Sequence, residues 1–185
     1  MPNLFFAEEE LNFAKDAINL FAKDKQFTPT SRHWSDFLIH LELCFIKAER
    51  GCQDIKNSFQ PFQGYYKKLR KEDSLLSYLK NARDAVVHDN IVIVDLEIVS
   101  RQVVDYVELE VVDKEGNRRK ERHPMFPSRI KLKTFNINGK AWNPPKTHLN
   151  RLLLCEKEPL EVAFLGIKFY DDFLKETKRK FVDRV

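Results

Sequence analysis

The apolar residues of this chain change their period once, near residue 90, and that change sets what the chain can fold into. Before it they recur every three or four positions, the spacing of one helix face. After it they largely alternate, the spacing of a half-buried strand. Residues 4–24 predict a helix with Leu11, Ala14, Ile18 and Phe21 along one face and Glu8, Glu9 and Glu10 in its first turns, where the helix dipole favours acids. Phe27-Thr28-Pro29-Thr30-Ser31 reads as a break, with Thr30 or Ser31 suited to cap the next helix. Residues 32–51 carry the strongest helical signal: Trp34, Phe37, Leu38, Leu41, Phe45 and Ala48 make one continuous stripe, and Gly51 supplies a stop. Residues 57–64 read as a loop, with a short helix over 62–71. A fourth helix starts near Asp73-Ser74, buries Leu75, Leu79, Ala82 and Val86, and ends at Asp89-Asn90, asparagine being a tolerated left-handed cap.

Beyond residue 90, residues 91–99 are rich in β-branched side chains, and Val103, Val107, Leu109 and Val111 largely alternate. Asp113-Lys114-Glu115-Gly116-Asn117 reads as a turn that places Arg118 to Arg122 on a returning strand. Ile130-Lys131-Leu132-Lys133 alternates again, Asn138-Gly139 is a hairpin signal, and Asn143-Pro144-Pro145 ends the regular structure. Pro159 opens a last helix to about residue 181, with Ala163, Ile167, Tyr170 and Leu174 as its buried stripe and Lys175, Lys178, Arg179 and Lys180 toward its end. The expectation is an α+β fold. Residues 1–90 form an antiparallel helical bundle, 91–150 a β-rich insertion with a basic hairpin, and 151–185 hold a C-terminal helix that packs back on the bundle.

With 185 residues, 43% of them hydrophobic, the chain can bury a core. No apolar run approaches the ~20 residues that span a bilayer. The start, Met-Pro-Asn-Leu-Phe-Phe with three glutamates close behind, lacks the positive charge of a secretory signal, so a cytoplasmic protein is expected. Cys44, Cys52 and Cys155 are odd in number and form no CxxC pair, which argues against a disulfide framework and a zinc ribbon. Cys44, on an apolar helix face, reads as a small buried hydrophobe. The five glycines form neither a GxGxxG nor a Walker-type phosphate loop, and no HExxH occurs. No metal or cofactor is therefore expected. Residues 101–150 hold 11 basic against six acidic side chains, chiefly Arg118, Arg119, Lys120 and Arg122, then Arg129, Lys131 and Lys133. Such a patch suits a polyanion, or it is a solvated hairpin tip.

The chemistry concentrates in Asn81-Ala82-Arg83-Asp84-Ala85-Val86-Val87-His88-Asp89. At ~100° per residue Arg83 projects inside the apolar sector of the fourth helix, between Leu79 and Leu76. A charge there needs a partner, a cleft or an interface. Asp84 and His88 lie one turn apart on the opposite face. Two readings follow: Arg83 and Asp84 form ion pairs while His88 closes the helix, or the three make a chemical site. Arg83…His88 fits the pattern Rx4–6H. So does Arg118…His123 in the hairpin, so it is the placement at the end of the bundle's last helix that carries weight.

That placement, together with Arg32-His33-Trp34-Ser35-Asp36-Phe37-Leu38 opening a helix and the Leu79 to His88 text, resembles the HEPN superfamily (higher eukaryotes and prokaryotes nucleotide-binding). The resemblance covers residues 1–90 and extends loosely to Pro145-Lys146-Thr147-His148-Leu149 and the last helix. It implies metal-independent RNA cleavage by a toxin or defence protein, with an antitoxin as protein partner. Two copies of the last bundle helix would meet in a homodimer cleft. His88 would be general base or acid in attack by a ribose 2′-hydroxyl, leaving a 2′,3′-cyclic phosphate, a role suited to a group that titrates near neutrality. Arg83 would hold the scissile phosphate, Asp84 would orient His88 or Arg83, and Asn81 would donate a hydrogen bond to substrate. Arg118, Arg119, Lys120 and Arg122 would add a basic RNA surface. The alternative is a non-catalytic HEPN-like module that binds a protein partner, nucleotide or RNA. The subgroup with a tyrosine shortly after the motif histidine is not matched, since Asp89-Asn90-Ile91 follows here.

Overall fold

A computed structural model describes residues 2–24, 26–112, 116, 118–153 and 158–183, apart from the side chain of Leu109. The proposed turn at Asp113–Asn117, Gly116 excepted, and Cys155 lie outside the described residues. Among the described residues five helices and four small antiparallel strand pairs make an α+β fold. Helices α1 (Phe5–Lys23) and α2 (Phe27–Gly51) run antiparallel, as the contacts Phe21–Trp34, Phe13–His40 and Lys47–Phe6 show. After a single 3-10 turn, α3 (Lys56–Glu72) and α4 (Ser74–Asp89) follow. The last helix, α5 (Pro159–Phe181), packs back antiparallel to α1, with Glu8–Lys178 and Lys15–Asp171 ion pairs along the seam. Among the described residues no helix is long and apolar enough to cross a membrane.

One apolar core joins all five helices to the base of the β segment, where Ile93, Val94, Leu132, Phe135 and Ile137 are buried. Within it Cys44 is a buried free thiol whose burial pushes it up to about 12. Strands β1 (Val94–Ile98) and β4 (Ser128–Leu132) pair, and between them β2 (Asp105–Val112) pairs with β3 (Arg118–Met125). The result is a long two-stranded arm, buried at its root and exposed over most of its length. Strands β5 (Phe135–Ile137) and β6 (Lys140–Trp142) form the hairpin expected at Asn138-Gly139, both at positive φ. The Tyr78 hydroxyl of α4 donates to the Lys133 carbonyl and its ring packs on Phe135, which ties this hairpin to the bundle.

Three local expectations are corrected. Neither Thr30 nor Ser31 caps α2, which begins at Phe27 and carries Pro29 in its first turn, where a missing N–H costs nothing. Their hydroxyls instead donate to the Gln26 and Thr28 carbonyls. Residues 57–64 are not a loop but the start of α3, with Pro61 inside the helix. An interior proline costs about 3 kcal/mol, but Phe59 is buried, which recovers about 1.5–3 kcal/mol, and half-buried Phe62 stacks on Phe173 while Tyr66 packs against it at a tilt. Regular structure also continues past Asn143-Pro144-Pro145, into the short pair β7 (Thr147–His148) and β8 (Arg151–Leu152). Its turn puts Leu149 and Asn150 at positive φ, an unusual state for leucine. It is held because the Leu149 N–H donates to Asp73 Oδ2 at 2.7 Å and His148 Nδ1 meets Asp73 Oδ1 at 3.0 Å.

Asp73 is thus both the N-cap of α4, accepting from the Leu76 N–H, and the anchor of the β7–β8 turn. Burial alone would raise its carboxyl, but the His148 hydrogen bond and the Leu76 and Leu149 N–H groups outweigh it and hold it below the usual aspartate range. A depressed acid stabilises the fold fully above its unfolded value, about 3.9, and the contribution is lost as pH falls below that through the folded value. Asp73→Ala is expected to lower stability by about 2 kcal/mol at neutral pH. The loss should shrink as pH falls below about 4, the unfolded value, as read by urea unfolding at several pH values.

Gly51 ends α2 against the N-terminal segment, whose Asn3 N–H donates to the Gly51 carbonyl at 2.9 Å. A Cβ on Gly51 would lie 1.9 Å from the Asn3 carbonyl oxygen, a backbone atom that cannot swing aside. Alanine normally favours a helix over glycine by about 0.5–1 kcal/mol. Gly51→Ala is nonetheless expected to lower the melting temperature, because the segment carrying buried Leu4 must detach.

Candidate functional site

Helix α4 presents Arg83 toward α2, as its position in the apolar sector requires. There Arg83 Nη2 lies 3.5 Å from Glu42 Oε1, and Nη1 lies 3.0 Å from Asp84 Oδ1. Glu42 sits on the buried side of α2 and is also bonded by Arg70 of α3. The Arg70 guanidinium lies 4.0 Å from the centre of the Phe45 ring and 5.7 Å from that of Tyr170 on α5. Four helices therefore share one charge cluster, an acid between two arginines, with Asp84 at its edge. Burial alone would lower the Arg70 guanidinium, but Tyr170 and Glu42 beside it raise it above its usual range. Burial pushes the Tyr170 hydroxyl up to about 12, against the pull of Arg70.

The remaining polar residues of α4 divide between the two ends of this cluster. Asp84 bonds Arg83 and meets Lys80 Nζ at 3.4 Å, so the acid orients the arginine and not His88. Asn81 donates from Nδ2 to the Ser77 carbonyl at 2.7 Å. His88 is exposed in the last turn and has no hydrogen bond or ion pair among the described residues. Asn90, in the left-handed conformation, closes the helix behind it, with the Ile91 N–H donating to the Ala85 carbonyl. Five residues at ~100° each set Arg83 and His88 about 140° apart around the helix. One copy of α4 therefore does not turn both toward a single phosphate. Exposed Val87 and Val92 flank His88.

The basic hairpin is laced with acids. Arg118 faces Glu110 across the pair at 3.6 Å, Lys120 faces Glu108 at 4.0 Å, Arg119 bonds Glu121 at 2.6 Å, and Arg122 lies over Tyr106 at 4.9 Å. Arg129 and Lys131 both bond Glu97. The second Rx4–6H match, Arg118…His123, lies on β3, with His123 beside Glu121. His148 is at the opposite end of α4 from His88, on Asp73. Among the described residues no group of three or more His, Cys, Asp or Glu side chains is placed to hold a metal ion.

Glu42 and Arg70 belong to the cluster but were not singled out from sequence. Glu42 had a signal: it stands in the Leu38, Leu41, Phe45 stripe, where an acid breaks the pattern. Arg70 had none, because the aromatic face that buries it comes from other helices. Comparisons with protein-family models, curated proteins and solved structures find no match. The site is therefore read from this chain's own residues.

Removing one member of a buried ion pair strands the others, at a cost of about 3–5 kcal/mol. Glu42→Gln is expected to lose stability on that scale in chemical denaturation, since Arg70 has no second carboxylate partner among the described residues. Glu110→Gln on the exposed arm should cause no measurable loss. Equal losses in the two variants would show that the cluster does not hold the bundle.

Proposed function

We propose that this chain is a metal-independent endoribonuclease of toxin or defence type, acting as a homodimer whose two α4 helices form one cleft. The observation that carries the reading is the end of α4: an exposed, unpartnered His88 on the same helix as a half-buried Arg83. Their separation of about 140° suits a composite site, in which groups from both copies meet around a shared phosphate. Exposed Val87 and Val92 beside His88 give that face an apolar element to cover. In the cleavage step the ribose 2′-oxygen forms a bond to the adjacent phosphorus as the bond to the 5′-oxygen breaks. One His88 takes the 2′-hydroxyl proton and the second gives a proton to the departing 5′-oxygen. Arg83 neutralises the phosphoryl oxygens in the transition state, and Asp84 positions it. A protein antitoxin would act by covering the His88 ends.

A second reading, a non-catalytic module that binds a protein partner, nucleotide or RNA, is favoured by one observation. The Arg83 guanidinium already meets Glu42 and Asp84. RNA cleavage by the purified protein separates the two. The wild type should yield 2′,3′-cyclic phosphate ends, and His88→Ala should lower the rate by about 100-fold or more. Arg83→Lys, which keeps the charge beside Glu42, should lose activity while retaining the melting temperature. Equal cleavage by all three proteins, or none by the wild type, removes the catalytic reading.

A further inference from the structure

A groove of about 510 Å³ opens between the end of α3, the first half of α4 and strand β6. Lys67, Arg70, Lys71 and Lys80 line it, together with Asn81 and Trp142. The acids that hold three of these cations, Glu49, Glu42 and Asp84, are not among the lining residues. Lys71 is exposed and has no ion pair among the described residues. The lining of this groove therefore carries four cations and no acid, and Lys71 is the one of them without an ion pair among the described residues.

Two further features point to a ligand. The Nε–H of Arg70 and the indole Nε1–H of Trp142 are buried donors without an acceptor among the described residues, and both residues line the groove. A buried donor left unpaired costs about 1–3 kcal/mol, and an anionic oxygen satisfies such donors best. Trp142 adds an aromatic surface, and Lys140 Nζ lies 3.9 Å from the centre of its ring, a fifth cation beside the site. The volume falls within the range of about 300–1,000 Å³ typical of small-ligand sites. Cations alone would suit any anion. Cations with a tryptophan in one groove suit a ligand that is both phosphorylated and aromatic, because bases stack on such rings for about 1–3 kcal/mol each.

We infer that this groove binds a nucleotide, its phosphate among Lys67, Lys71 and Lys80 with Arg70 behind, and its base against Trp142. The nucleotide is either free or one unit of an RNA strand. The inference shares its ligand class with the binding reading above and rests on it, but it needs no catalysis by Arg83 or His88.

The test uses the intrinsic fluorescence of the full chain. Of its two tryptophans Trp34 is fully buried, so a ligand-dependent change reports Trp142. Adenosine 5′-monophosphate should quench the emission, with adenosine and inorganic phosphate each binding at least about tenfold more weakly, and Trp142→Phe should abolish the signal. Lys71→Glu, at an exposed position, should weaken the nucleotide about tenfold by calorimetry without changing the melting temperature. Displacement of the nucleotide by a short single-stranded RNA identifies a strand as the source of the ligand; no displacement identifies the free nucleotide, and either sustains the site. The inference is overturned by absence of quenching and of binding heat, by equal affinity in Lys71→Glu, or by phosphate binding as tightly as the nucleotide. RNA binding, seen by anisotropy of a labelled strand, that leaves Trp142 emission unchanged overturns this site and leaves the binding reading standing.

Discussion

Glu42 is one carboxylate facing two guanidiniums inside a helical bundle, and the other helices are placed to satisfy it. It projects from the apolar stripe of α2, where an unpaired charge would be expensive. Arg70 reaches it from α3 and Arg83 from α4, while Tyr170 of α5 closes over Arg70. Apolar packing tolerates small slides of one helix on another, because one methyl contact replaces the next. A buried ion cluster does not tolerate them, because a slide of one turn leaves a charge facing hydrocarbon. The cluster thus sets the register of four helices more strictly than their apolar faces alone would. It also determines what Arg83 can do, since the residue most suited to bind a phosphate is part of the frame.

Much of the fold was legible because the helices announce themselves by period. The stripes of α1, α2, α4 and α5 come from residues three and four apart, and Asp73 and Asn90 bound α4 with the chemistry that helix ends require. What escaped reading depends on residues distant in sequence. Helix α3 contains Pro61 and Gly64, both locally unfavourable, and it forms because Phe59, Phe62 and Tyr66 find Phe173 and Phe181 on α5. Leu149 adopts positive φ because Asp73 holds its N–H. Local propensity cannot report either partner. The hairpin at Asn138-Gly139 needed no partner, and it was visible.

The candidate site was legible in the same uneven way. Counting angles around α4 put Arg83 on the packing side, and the structure puts it against α2. Its partner is a tertiary fact, although an acid at Glu42 within an apolar stripe was a visible anomaly. The basic run at Arg118 to Arg122 suits either a polyanion or a solvated hairpin tip when read from sequence alone. Glu108 and Glu110 stand opposite it in the β2–β3 register, and that register is known only once the strands are paired. Cations also gather around a groove lined by no acid, at Lys67, Lys71 and Lys80, which are scattered over two helices and form no run in sequence.

Structural and catalytic roles for Arg83 are compatible, because each acid that holds it has a second cation. Glu42 also bonds Arg70, and Asp84 also meets Lys80. A phosphate approaching Arg83 can therefore draw the guanidinium outward while Glu42 keeps Arg70 and Asp84 keeps Lys80, and no acid is stranded. Arg70 has no such exchange, since among the described residues its carboxylate partner is Glu42 alone and it is more deeply buried. Of the two arginines around Glu42, one is fixed and the other is replaceable. The replaceable one is on the helix that ends in His88.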